Sequence, residues 1–280
     1  MLIDMKKPEP IIVTNLFPEV LDELLQLLLS LSAEDWLKPT ACAQWSVKDI
    51  ALHLLGGDVS ILSRKRDGYT PGNQSIWNFQ ELVEFINGLN DTWVKATRRL
   101  SPGVLCDLLR FTGNQVCEYF SSLDPFATGG PVDWAGVETA PVWFDLAREY
   151  TERWHHQQQI RDAVGKPGLK QPKYFAPVLD AFVRALPHTY RNVYAGEGTI
   201  VALTISGDSG GRWFILKEQA GWNLYLDIER EPTAEIIIHE DTAWRLFTKG
   251  VTADEARLAA ETIGETNLAL KALEMVSVIA

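Results

Sequence analysis

Over most of the first 165 residues, apolar side chains recur every three to four positions, the spacing of one face of an α-helix. Residues 18–31 are leucine-rich at that spacing. Ser46, with Asp49 three positions on in the manner of a capping box, predicts a helix that runs to about Asp67 and stops before Gly68. Residues 79–100 place Leu82, Phe85, Ile86, Leu89, Trp93 and Ala96 at core spacing. Residues 102–123 follow, with Pro102 in the first turn and Pro125 beyond the end. Residues 129–140 begin Gly-Gly-Pro and read as a loop. Residues 141–164 form the last long helix, ended by Gly165 and Pro167. Five helices without intervening strand signals predict a four-helix bundle carrying one extra helical element.

The period changes after Lys166. Residues 180–194 read as a connecting helix. Four β-like runs follow, at 199–206, 212–217, 222–227 and 234–239. Glycines at 207, 210 and 211 separate the first pair and Gly221 precedes the third run, which are hairpin signals. Two short helices are expected at 242–248 and 266–275. Pro167, Gly168, Pro172 and Pro177 cluster between the two patterns, so the expected division is a helical domain over 1–168 and a small α+β domain over 178–280.

Composition narrows the class without changing this picture. Apolar residues make up 46 % and charged residues 22 % of 280, enough for true cores, and ten tryptophans call for large aromatic surfaces or a lined pocket. The net charge of −11 repels phosphate backbones and argues against nucleic acid and anionic membranes. No apolar run reaches the roughly 20 residues of a membrane span, and the N-terminal stretch lacks the order of a signal peptide. Cys42, Cys106 and Cys117 form no CxxC pair, so neither a disulfide framework nor a zinc knuckle is expected. They read as small buried hydrophobes in a protein of the reducing cytoplasm.

Candidate chemistry lies with three of the five histidines. His53 falls at the edge of the apolar stripe of its helix, beside small residues at Gly56, Gly57 and Ser60. Two adjacent helical glycines provide either room beside a functional imidazole or close helix packing. Glu152 and His156 are four apart and so share one face, where a carboxylate and an imidazole reach one ion. A histidine from another helix completes a two-His, one-carboxylate set with open coordination positions, suited to zinc, iron, nickel or manganese. Against this, Glu152 and His156 share their face with Asp145 and Glu149, opposite the stripe of Trp143, Leu146, Ala147, Tyr150 and Trp154. That arrangement equally describes a solvated acidic face. His155 ranks behind His156, as a substitute ligand or a supporting group. His188 and His239 have no partners at ligand spacing.

Two local patterns carry a resemblance to a known family. One is Trp45-Ser46-Val47-Lys48-Asp49-Ile50 followed by His53; the other is Glu152-x-x-x-His156 continuing through Gln to Arg161, Asp162 and Ala163. The chain resembles the DinB-like metal-binding bundles, in particular the mycothiol-dependent maleylpyruvate isomerases. The resemblance implies that His53, Glu152 and His156 are ligands of a divalent metal, zinc foremost. It also implies a low-molecular-weight thiol cosubstrate, an electrophilic substrate, and transfer or cis-trans isomerisation as the reaction. The second domain is then similar to sterol-carrier-like α/β modules. No pattern identifies residues that bind the thiol or set the oligomeric state. Arg64, Lys65, Arg66 and Arg153 are the cations nearest the ligand motifs, and a solvated basic helix end accounts for the first three equally well. The alternatives are a non-catalytic metal-binding bundle, or a protein that holds an apolar ligand among Trp213, Phe214, Trp222 and Tyr225.

Overall fold

A computed structural model describes residues 5–70, 72 and 78–278. The N-terminal signal-peptide reading rests in part on residues 1–4, and the end of the expected second domain on residues 279–280, both outside the described residues. The chain is a helical N-terminal region followed by a C-terminal sheet region. In order the elements are β1 (Met5–Lys6), α1 (Phe17–Leu29), α2 (Val47–Ser60), a π-helical turn (Ile61–Arg66), α3 (Phe79–Thr97), α4 (Pro102–Ser122) and α5 (Val142–Val164). They continue with α6 (Pro172–Val183), α7 (Leu186–Thr189), β2 (Ile200–Ser206), β3 (Gly211–Glu218), β4 (Gly221–Tyr225) and β5 (Asp227–Ile228). β6 (Ala234–His239), α8 (Glu240–Phe247), α9 (Ala253–Leu258), β7 (Glu261–Gly264) and α10 (Thr266–Leu270) complete the chain.

Contacts divide the chain into two units. One comprises Ile12–Ala127 and Arg148–Leu169, holding α1 to α4 and most of α5. Its core gathers Leu24, Leu25 and Leu28 of α1, Ile50, Leu52 and Leu55 of α2, Val94 of α3, Leu105 and Leu109 of α4, and Ile160 of α5. α2 starts where the sequence indicates. The Ser46 side chain accepts from the Asp49 backbone N–H and the Asp49 carboxylate accepts from the Ser46 N–H. Arg98 locks this cap by donating to both Asp49 oxygens at 2.8 and 3.0 Å. The helix expected to continue smoothly to Asp67 instead widens into the π-helical turn after Ser60.

The other unit takes in the chain up to Ile11, Thr128–Ala147 and the chain from Lys170 on. Its five-stranded sheet has the order β4-β3-β2-β6-β7. The β2-β3 and β3-β4 pairs are the expected antiparallel hairpins, while β2 and β6 run parallel. A side chain at Gly210 would stand 1.9 Å from the Ile205 carbonyl oxygen, so the first hairpin tolerates only glycine there. β1 and β5 form a separate two-stranded ladder. Phe214, Leu216, Tyr225, Ile200, Ala202 and Ile228 pack as one core, and Trp222 meets Tyr190 edge-on at 5.3 Å. The strand aromatics therefore fill the unit's interior.

One expected helix needs correction here, and two elements were not expected. The helix placed at 180–194 begins at Pro172, because proline is compatible with a helix's first turn, and it ends before a separate short turn at Leu186. Two elements, α9 and β7, carry too little apolar patterning to be predicted. α9 is nonetheless announced by a capping box between Thr252 and Glu255.

Candidate metal centre

His53 projects from α2 seven residues after its cap, with the Trp45 ring 5.0 Å from its imidazole. Glu152 and His156 sit one turn apart on α5. The three meet. His53 Nε2 lies 3.2 Å and His156 Nε2 3.0 Å from the same oxygen, Glu152 Oε1, and the two rings are 4.6 Å apart, edge to face. One donor atom from each residue fits within a span of 4.8 Å. Donors held about 2.0–2.2 Å from a tetrahedral ion stand roughly 3.3 Å from one another, so this spacing suits one small cation.

Behind the converging trio, the Gln159 amide oxygen faces His156 Nδ1 at 2.8 Å. With an acceptor there, Nδ1 carries the ring proton and Nε2 turns its lone pair toward Glu152 Oε1. In the neutral ring two acceptors then face each other, an arrangement that a shared metal ion relieves and that a second ring proton on Nε2 relieves equally. The Cys42 thiol also donates to Gln159 Oε1, at 3.5 Å, and its own pKa is raised by burial. Gln159 was missed by the sequence reading, although its position three residues after His156 puts it on the same side of the helix.

Burial and neighbouring charges act on the trio in opposite directions. Burial pushes the His53 pKa down and the neighbouring His156 adds to this, against the pull of Glu152. Burial alone would raise the Glu152 carboxyl, but His156 and His53 outweigh it and hold it well below the usual carboxylate range. His155 is buried, its pKa lowered to about 3 by burial first and by His156 next, and its Nδ1 is 3.9 Å from Glu152 Oε2. It lies against the His156 ring, at 4.0 Å between centroids, outside the converging trio. His53 and His156 side chains are 12 % and 8 % exposed, whereas Glu152 is 42 % exposed, so the site is open to solvent on the carboxylate side.

The solvated acidic face is not what forms. Asp145 accepts from the Gly130 N–H at 2.9 Å, Glu149 pairs with Arg153 at 3.0 Å, and Gln157, Gln158, Gln159 and Arg161 are buried. The adjacent glycines divide between the two readings. A side chain at Gly56 would strike the Trp93 ring at 2.7 Å, which is close helix packing, whereas nothing lies within 4 Å of one at Gly57. Arg64, Lys65 and Arg66 are exposed, while Arg153 is enclosed in ion pairs with Asp58 and Glu149. His188 packs against Gly136, and His239 caps α8 by accepting from the Asp241 N–H. Neither joins a metal-ligating group among the described residues.

The model of the mycothiol maleylpyruvate isomerase N-terminal domain matches residues 17–161, more than half of the chain. The chain belongs to this family. The matched segment contains all three converging residues. Two solved structures share the fold: the mycothiol-dependent maleylpyruvate isomerase, at 12 % identity and a TM-score of 0.51, and a histidine-to-alanine mutant described by the same name, at 10 % and 0.50. Each alignment covers 83 % of this chain and 86 % of the other. No curated protein sequence matches the chain. Among the described residues, no helix is long and apolar enough to cross a membrane.

Proposed function

We propose that this member of the mycothiol maleylpyruvate isomerase family is a metal-dependent enzyme that uses a low-molecular-weight thiol, mycothiol by family, to isomerise or conjugate an electrophilic substrate. The observation that carries the proposal is the convergence of two imidazole Nε2 atoms on one carboxylate oxygen, at 3.2 and 3.0 Å. His53, Glu152 and His156 would hold the ion, which we take to be zinc because the family resemblance implies it, although the donor set itself suits several divalent metals. A bound divalent cation lowers a thiol's pKa from its ordinary value of about 8.5 and so makes thiolate available at neutral pH.

The chain's own groups prepare this site. The Gln159 amide oxygen favours a proton on His156 Nδ1, and burial lowers the His53 pKa. The open side at Glu152 is the approach for thiol and substrate. Arg153 is taken up by Asp58 and Glu149, so a dianionic substrate must find its countercharge elsewhere. We read the bundle as residues 1–168 and the sheet region, 178–280, as a sterol-carrier-like module, and we place the protein in the cytoplasm. The three cysteines are free thiols, in keeping with that compartment.

Zinc titration of the purified protein tests the proposal. Wild type is expected to take up one ion, and His53→Ala and His156→Ala each to lose it. Unchanged stoichiometry in both variants would defeat the metal reading.

A further inference from the structure

One side chain beyond the ligands lies a second polar cluster that the proposed reaction does not use. Arg153 follows Glu152 directly on α5, and Asp58 lies five residues after His53 on α2. Arg153 Nη2 donates to Asp58 Oδ1 at 2.7 Å, and Nη1 donates to the Glu149 carboxylate at 3.0 Å. The second Asp58 oxygen accepts from the Thr112 hydroxyl of α4 at 3.0 Å. The guanidinium is flanked by the Phe17 ring of α1 at 5.8 Å and the Phe120 ring of α4 at 5.6 Å. Asp58 and Arg153 side chains are only 6 % and 16 % exposed.

Stability alone does not account for such a cluster. Removing two charges from water is costly, and well-packed apolar side chains of similar volume often serve a core as well or better. One arm of the planar guanidinium is held on its own helix by Glu149, which aims the other arm across to Asp58 of α2 and gives the link between the two helices a direction. Here those helices are the ones that bring His53 to the Glu152–His156 turn.

We infer that Arg153 and Asp58 are positioning residues: their buried fork holds α2 and α5 in the register that brings the three ligand atoms together. The inference rests on the metal reading above. It assigns neither residue a contact with metal, thiol or substrate.

The test uses Co(II), whose visible absorption reports ligand number and geometry, with the full-length chain. The double replacement Asp58→Leu with Arg153→Met exchanges the fork and the buried Asp58 charge for apolar side chains, and leaves only Glu149, 28 % exposed, to be met by solvent. Cooperative unfolding and unchanged helical circular dichroism confirm the fold. The expected result is a loss of Co(II) affinity of about tenfold or more, the range found for groups that orient metal ligands, with altered visible bands. Affinity within twofold of wild type with the same spectrum would overturn the inference. If the double variant does not fold, Arg153→Lys takes its place, because lysine keeps the charge but cannot fork between Asp58 and Glu149. The same two outcomes then decide. Absence of Co(II) binding by wild type would fell the metal reading itself, and the inference with it.

Discussion

The neighbouring glycines of α2 allow the packing around the site to be tested by two substitutions of identical chemistry and opposite expected sign. Gly56→Ala places a methyl group 2.7 Å from Trp93 Cδ1 and Nε1 and 3.1 Å from Cγ. The indole has little freedom to yield, because its Nε1–H donates to the Leu52 carbonyl of the same helix at 2.8 Å. Moving the ring aside costs about 1–3 kcal/mol of overpacking and about 1 kcal/mol of hydrogen bond. Helix propensity returns about 1 kcal/mol. The net expectation is destabilisation by about 1–3 kcal/mol. Gly57→Ala meets nothing within 4 Å and keeps only the propensity term, a gain of up to about 1 kcal/mol. At about 2–4 °C per kcal/mol, thermal melts should show Gly56→Ala falling and Gly57→Ala holding or rising. Gly56→Ala at least as stable as Gly57→Ala would refute the reasoning, because the indole would then not be seated where the packing argument requires.

Two further outcomes follow from single contacts. Gln159→Leu leaves His156 Nδ1 without its 2.8 Å partner, and zinc affinity should fall by about 10- to 100-fold with the fold intact; an unchanged dissociation constant in competition with a chromogenic chelator would exclude a role for the amide. Asp49 is buried, and although burial itself pushes its carboxyl up, Arg98 and the Ser46 cap lower its pKa below the ordinary range. A lowered folded-state pKa gives stability that is full above the unfolded value, near 4, and is lost as pH falls through the folded one. Wild type should therefore be more stable than Asp49→Asn to urea at neutral pH, by up to about 1 kcal/mol, because asparagine still accepts from the Ser46 N–H but loses the charge facing the half-exposed Arg98, and the gap should narrow below about pH 4. A gap independent of pH would show that the charge contributes nothing.

Local signals decided most of what was readable in the sequence. The Ser46–Asp49 box, Pro102 and the Gly165 stop mark helix ends through chemistry confined to one turn, and the structure places those ends within a few residues. Gly210 and Gly221 announced hairpins for the same reason. What went unread depended on partners distant in sequence. The parallel pairing of β2 with β6 leaves no mark in either strand. β7, with the sequence Glu-Thr-Ile-Gly, lies at the sheet edge without an apolar alternation. The converging trio was legible because Glu152 and His156 advertise themselves by spacing, but Asp58, Arg153 and Gln159 look like ordinary surface residues until their partners are known.

α5 shows why a helical wheel misjudged that face. A polar helix is expected to face water unless each buried polar group finds a partner. In α5 the partners are supplied one by one. Gln157 donates to the Val20 carbonyl, Gln158 to the Gly168 carbonyl, and Arg161 to Glu23 and to the carbonyls of Lys166 and Pro167. Each of these is a donor matched to an acceptor, complete within the protein. At Glu152 the bookkeeping differs, since its oxygen meets two imidazole nitrogens, one of them turned lone pair outward by Gln159. Two other buried atoms of α5, Asp145 Oδ1 and His155 Nδ1, also lack a hydrogen-bond partner among the described residues, so the physical support for the metal reading is the convergence itself, two imidazole nitrogens on one carboxylate oxygen of a side chain that stays open to solvent.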